Sequence, residues 1–125
     1  MNIPSELKYS DSHEWVKTLP NGNVLVGITD HAQHQLSDLV FVSLKDEGDE
    51  LAAHDPIGDV ESIKAVSEIF TPVAGKIVKT NQDILDDPSL INSAPYDSWF
   101  VELSDVHGAE GLMSAKDYAK LLEAE

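Results

Sequence analysis

The residue with the most distinctive chemistry in this chain is Lys64, near the middle of the stretch IGDVESIKAVSEIFTPVAGKIVKTN that runs from Ile57 to Asn81. A lysine amine on its four-carbon stem, projecting from a turn, can be reached and acylated by an enzyme. Taken alone it reads as a solvated surface lysine, the ordinary state of that side chain. Glu61 precedes it by three residues and Glu68 follows it by four, so both acids should sit on the arms of the same turn. The histidines offer less. His31 and His34 are three apart and could share a helix face, but no third ligand stands at a recognisable spacing, so no metal site is expected. His13, His54 and His107 are isolated in sequence. No Ser-His-Asp order, phosphate-binding glycine loop or His-Glu-x-x-His motif is present. The chain has no cysteine, which excludes disulfides, thiolate nucleophiles and thiolate-bound metal. Any sulfur redox chemistry must therefore arrive on an attached group, and the residues supply no nucleophile and base pair for a free-standing enzyme.

The elements that would position Lys64 follow from the local pattern. Val60, Ser62 and Ile63 lie before it and Val66, Ile69 and Phe70 after it, leaving only Ile63-Lys64-Ala65 for a tight hairpin. The tip lacks the Asn-Gly or Asp-Gly chemistry usual for such turns. Upstream, His13 to Val16 and Val24 to Ile28 read as strands joined through the turn Leu19-Pro20-Asn21-Gly22-Asn23, with Gly22 taking the positive φ. Thr29 or Asp30 can cap a short helix over His31 to Leu36. Leu39 to Leu44 alternates as a strand, and Leu51 to Ile57 leads up to the hairpin. Beyond it, Thr71 to Gly75 reads as a turn, Lys76 to Lys79 as a strand, and Asp86 to Leu90 as one helical turn at most. Trp99 to Leu103 is a last strand. Ser114 and Asp117 then resemble a capping box opening a terminal helix whose apolar face carries Tyr118, Leu121 and Leu122. Asp49-x-Leu51 with Ile57 is echoed by Asp83-x-Leu85 with Ile91, on either side of Lys64.

At 125 residues the chain is a single domain, 1–125. Apolar residues make up 42%, which suits a packed core. No apolar run approaches the ~20 residues needed to span a bilayer, so no membrane association is expected. The opening Met-Asn-Ile-Pro-Ser-Glu has neither a basic and apolar leader nor an Arg-rich presequence. The expected location is the cytoplasm, or the mitochondrial matrix if a presequence has been removed. Eight Lys and Arg against 23 Asp and Glu give a formal charge of −15. Such a surface disfavours nucleic acid and anionic membranes, and suits either encounter with basic protein surfaces or solubility alone.

Glu61-Ser62-Ile63-Lys64-Ala65, followed by Ser67-Glu68 and Pro72-Val73-Ala74-Gly75, resembles the lipoyl-attachment segment of the glycine cleavage H-protein family. Related biotin carriers place Met on both sides of their lysine, and lipoyl domains of 2-oxo acid dehydrogenases usually place Asp before it; here Ile63 and Ala65 flank Lys64. Further segments resemble the same family in the same order: Tyr9 with Ser12 to Val16, Gly27 to Gln33, Leu39 to Val42, and Leu90 to Tyr96. The resemblance runs from about Leu7 to Leu122.

It implies a mainly β fold of the lipoyl/biotinyl type, a flattened barrel or sandwich of two antiparallel sheets with short peripheral helices and a C-terminal helix. It implies a non-catalytic, monomeric carrier with one lipoate bound covalently to Lys64. Glycine decarboxylase, which depends on pyridoxal phosphate, would load an aminomethyl group. A tetrahydrofolate-dependent aminomethyltransferase would unload it, and dihydrolipoyl dehydrogenase would restore the disulfide. A lipoylating enzyme would attach the cofactor, recognising Glu61 and Gly75, while Ser12, Glu14 and Glu68 would line a cleft sheltering the loaded arm. Two alternatives share the motif: an H-like carrier that relays lipoyl groups to other proteins, and an unmodified binding module on the same fold. The chain departs from the family at Gln35, where a family member carries His, and at His54, where Gly is common.

Overall fold

The structure, a computed structural model, describes residues 2–109 and 111–124. The elements in chain order are β1 (Lys8–Tyr9), β2 (Glu14–Thr18), β3 (Val24–Ile28), α1 (Asp30–Leu36), β4 (Leu39–Leu44), β5 (Glu50–Leu51) and β6 (Pro56–Ser62). There follow β7 (Val66–Phe70), β8 (Ala74–Thr80), α2 (Gln82–Asp86), α3 (Ser89–Ser93), β9 (Val101–His107) and α4 (Ala115–Ala124). They form two antiparallel sheets, one of six strands in the order β1-β2-β3-β9-β8-β5 and one of three in the order β4-β6-β7. Neither closes on itself, so the fold is a sandwich rather than a complete barrel.

The inward side chains of both sheets make the core. Val26, Ile77 and Leu103 from the large sheet meet Val42, Val60 and Ile69 from the small one, with Ile84 and Ile91 closing over them from α2 and α3. Each fully buried aliphatic contributes roughly 1.5–3 kcal/mol of transfer free energy. A second cluster, Leu7, Tyr9, Trp15 and Tyr118, packs α4 onto the outer strands. The Tyr9 and Tyr118 rings stack with centroids 4.8 Å apart, and the Trp15 indole N–H donates to the Pro95 carbonyl at 3.1 Å.

Several local expectations hold. β2 and β3 form a hairpin whose turn carries Gly22 at φ +89. Thr29 caps α1 by accepting the Ala32 N–H at 3.2 Å. The Ser114 hydroxyl accepts from the Asp117 N–H at 3.2 Å, the forward half of the capping box, and Tyr118 is buried.

Others are corrected. The run from Leu51 to Ile57 breaks at a turn, where the Ala52 N–H donates to the Asp55 carboxylate at 2.8 Å and His54 sits at φ +74. That left-handed backbone explains why glycine would suit position 54. Asp86 to Leu90 lies across two short helices, not one turn, because Asn81 caps α2 by accepting the Asp83 N–H. The echoed segments do not repeat structurally: Leu51 and Ile57 lie on strands, whereas Ile91 lies on α3 and Asp83 and Leu85 on α2. The last strand begins at Val101 and continues to His107.

Candidate functional site

The β6–β7 hairpin presents Lys64 at its tip, and one hydroxyl takes the place of a glycine turn there. The Ser62 Oγ accepts both the Lys64 and the Ala65 backbone N–H, each at 3.1 Å. The Ser62 N–H donates to the Ala65 carbonyl at 2.8 Å, closing the loop. Short side-chain oxygens can satisfy turn amides in this way, which lets non-glycine residues occupy the tip. The neighbouring Ile63 N–H donates at 3.2 Å to the carbonyl of Asp38, so the tip is also tied to the loop between α1 and β4. Lys64 itself is exposed.

On the flank of this hairpin lies a cleft of about 380 Å³, lined by Ser12, His13 and Glu14 from the start of β2, by Ala32 and Gln35 of α1, and by Ser67 and Glu68 of β7. Ile28, Leu36, Ile69 and Phe70 complete its walls. Glu14 is buried, and its Oε1 accepts hydroxyl hydrogen bonds from Ser10 and Ser12, both at 2.7 Å. The Glu14 N–H in turn donates to Ser10 Oγ at 3.0 Å. Loss of solvation pushes the Glu14 carboxyl up to about 7, with the Asp11 charge acting in the same direction and the Ser12 and Ser10 hydroxyls against it. The group thus stands where a modest local change can ionise it.

Beside it, His13 holds a backbone φ of +71 and its ring Nδ1 lies 2.8 Å from the Tyr118 hydroxyl. That hydroxyl is also 2.8 Å from Thr29 Oγ1. His31 packs its ring against His13, centroids 4.5 Å apart, while His34 is exposed. Among the described residues no group of three His, Cys, Asp or Glu side chains gathers in a way that could hold a metal ion.

The structure therefore brings Ser12, Glu14 and Glu68 to one cleft. Glu68 is four residues from Lys64, so their Cα atoms are no more than roughly 14 Å apart. Glu61 is exposed and pairs with Val66, one step from the tip. Gly75 is not brought to the lysine. It lies past the hairpin's far end, which Pro56 and Phe70 close, and it pairs with Leu51. Nor is it a turn residue. It is buried inside β8, where an added Cβ would come within 2.9 Å of the Ser104 carbonyl oxygen, so close strand approach is what requires glycine. A larger depression of about 660 Å³ lies beside it on β5, β8 and β9; His107 lines it, but Ser12, Glu14, Glu61, Lys64 and Glu68 do not.

Sequence reasoning missed His13 as part of the cleft wall and Ser10 as a donor to the Glu14 carboxyl. The spacing Ser10-x-Ser12-x-Glu14 was the available signal for Ser10, since alternate small hydroxyls in a tight turn can converge on one carboxylate. Gln35 stands in the cleft wall where a family member carries His, and the imidazole at this cleft comes from His13.

The family model for the glycine cleavage H-protein matches residues 7–125. The glycine cleavage system H protein of Halalkalibacterium halodurans is 48% identical over 127 residues, covering 99% of this chain and 98% of that protein. That of Paraburkholderia phymatum is 45% identical, covering 96% and 97%. The crystal structure of the Mycobacterium marinum glycine cleavage system H protein superposes with a TM-score of 0.89 at 37% identity, covering 97% of this chain and 99% of that one. A lysine held out on a hairpin tip, a cleft beside it and matches along nearly the whole length lead to one conclusion: this chain belongs to the glycine cleavage H-protein family.

Proposed function

We propose that the protein is the lipoyl-bearing shuttle of the glycine cleavage system, a monomeric, non-catalytic carrier. In this reading it takes an aminomethyl group from glycine decarboxylase to the aminomethyltransferase, and dihydrolipoyl dehydrogenase then reoxidises it. The observation that carries the reading is the placement of Lys64, exposed, on a tip whose two amides are held by Ser62, with the Glu14 cleft on the flank of the same hairpin. Lipoate, attached through an amide, supplies a dithiolane whose S–S bond opens to take up the one-carbon unit. The chain's own contribution is positional and electrostatic. Lys64 loses its charge on acylation and becomes a pivot. Glu14 and Glu68 supply carboxylates to a cleft wall where a cationic amine is favoured, Ser12 orients the Glu14 carboxylate, and Ile28, Leu36 and Ile69 supply apolar wall beside them. A charge pair at ~4 Å is worth on the order of 1 kcal/mol in water and several-fold more where solvent is excluded.

Intact-mass measurement of the natively produced chain tests the reading. One lipoyl group is expected, mapped to Lys64 by peptide fragmentation, with Lys64→Arg unmodified yet folded. Lipoate on Lys45 or Lys76, or on no residue in a host able to make it, would overturn the assignment.

A further inference from the structure

Among the described residues five large apolar side chains are exposed, and four of them surround the hairpin tip: Val40 at 54%, Phe41 at 56%, Ile63 at 66% and Val66 at 61%. Pairing explains how they meet. Phe41 is opposite Glu61 and Glu61 opposite Val66, so these three side chains stand in one row on the outer face of the small sheet. The next outward row is Ser43, Asp59 and Glu68. A register shift between Leu39 and Phe41 turns two successive residues, Val40 and Phe41, out to solvent. An apolar cluster bounded by carboxylates on a monomer's surface marks an interaction site.

We infer that this face is the docking surface for the enzyme that acylates Lys64, a partner presenting an apolar recess rimmed by lysine and arginine. The inference rests on the reading of Lys64 as lipoylated. Reach selects the partner. Before acylation the amine extends only as far as its own stem, so the enzyme must lay its active site against the tip and the strands beside it. Once the arm is attached, its reactive end lies well beyond the sheet, and enzymes acting there need not touch Phe41. Charge agrees: Glu61 stands between Phe41 and Val66 and Asp59 lies in the next row, on a chain of net −15, which favours lysine and arginine on the partner.

The step joins Lys64 to a lipoyl group activated as an acyl-adenylate. The ammonium gives up one proton, the Nζ lone pair attacks the acyl carbon, and the carbon–oxygen bond to phosphate breaks. AMP leaves with that electron pair, and nitrogen gives up a second proton as the amide forms. Nothing is oxidised or reduced.

The test uses the purified, unmodified full chain, preformed lipoyl-adenylate and a purified lipoate–protein ligase, with product followed by intact mass. Phe41→Ser and Val66→Ser should each raise the KM for the carrier by about tenfold at nearly constant kcat, while Phe41→Leu restores it. Val78→Ser, which alters the remaining exposed valine on the other sheet, should match wild type. Melting temperatures of the four variants report whether any has simply unfolded. Raising ionic strength from about 0.01 to 0.15 M should increase the wild-type KM, and less so for Asp59→Asn. Unchanged KM in both serine variants, with wild type modified normally, would overturn the docking surface and leave the carrier reading intact. A salt-independent KM would overturn the basic rim. Wild-type dimers that become monomers in Phe41→Ser with unaltered KM would assign the face to a second copy instead. Failure of wild type to accept lipoate at all would count against the carrier reading itself.

Discussion

Replacing Glu14 by Gln keeps an oxygen able to accept from Ser10 and Ser12 and removes the ionisation. The folded carboxyl titrates at about 7 against an ordinary 4.5, because burial disfavours the charged form. Well below pH 4.5 the group is protonated in both folded and unfolded chains, and no difference arises. As pH rises from there the unfolded chain ionises first, binds fewer protons than the folded one, and gains relative to it. Stability therefore falls with rising pH until the folded group also ionises near 7, and the accumulated cost is on the order of 3 kcal/mol. Glu14→Gln should not pay it. Urea unfolding of both proteins at steps from about pH 4 to pH 8.5 measures the difference, from which contributions common to the two proteins drop out. The variant should gain on wild type across that window and run parallel to it above. Parallel curves throughout would refute the placement of Glu14 as a desolvated carboxyl. Under the proposed function, a cationic amine entering the cleft would draw the same pKa down and ionise its own partner.

Three further outcomes follow from backbone geometry. Ser37 is held at φ 71 and ψ −162, a region nearly confined to glycine, so Ser37→Gly should stabilise the fold by about 1 kcal/mol in denaturant titration. Gly75→Ala should cost about 1–3 kcal/mol and lower the melting temperature through contact with the Ser104 carbonyl, without altering lipoylation per folded molecule. Ser62→Ala removes the acceptor of two tip amides, and hydrogen exchange at Lys64 and Ala65 should quicken by about fivefold while the core amides keep their protection.

The hairpin and the strand limits around it were legible because apolar runs with few residues between them leave the chain little choice. The terminal helix was legible from Ser114, Tyr118, Leu121 and Leu122 at helical spacing. What could not be read were the effects of single-residue shifts and of distant approach. Strict alternation over Leu39 to Leu44 would bury Phe41 beside Leu39, but the bulge between them reverses its facing. Gly75 looked like turn chemistry because it follows Pro72, while its real constraint is Ser104 on another strand. The echo around Asp49 and Asp83 matched letters without matching period, and the Asn81 cap committed the second copy to helix. Of the cleft, Ser12, Glu14 and Glu68 were named from family resemblance. Their convergence depends on sheets packing residues more than fifty positions apart, which no local pattern records.

The way Ser62 grips the tip has a statistical consequence. With both flanking amides held, the backbone at Lys64 is a fixed hinge post, and all the freedom of an attached arm begins beyond Cβ. The free end of such an arm explores a cap of space above one point, and the Glu14 cleft lies on the flank of the same hairpin. Local concentration at the cleft is then at least about millimolar, as for other short tethers. An arm so confined can occupy the cleft for much of the time through contacts too weak to hold a free molecule, and can still leave it quickly when a partner arrives.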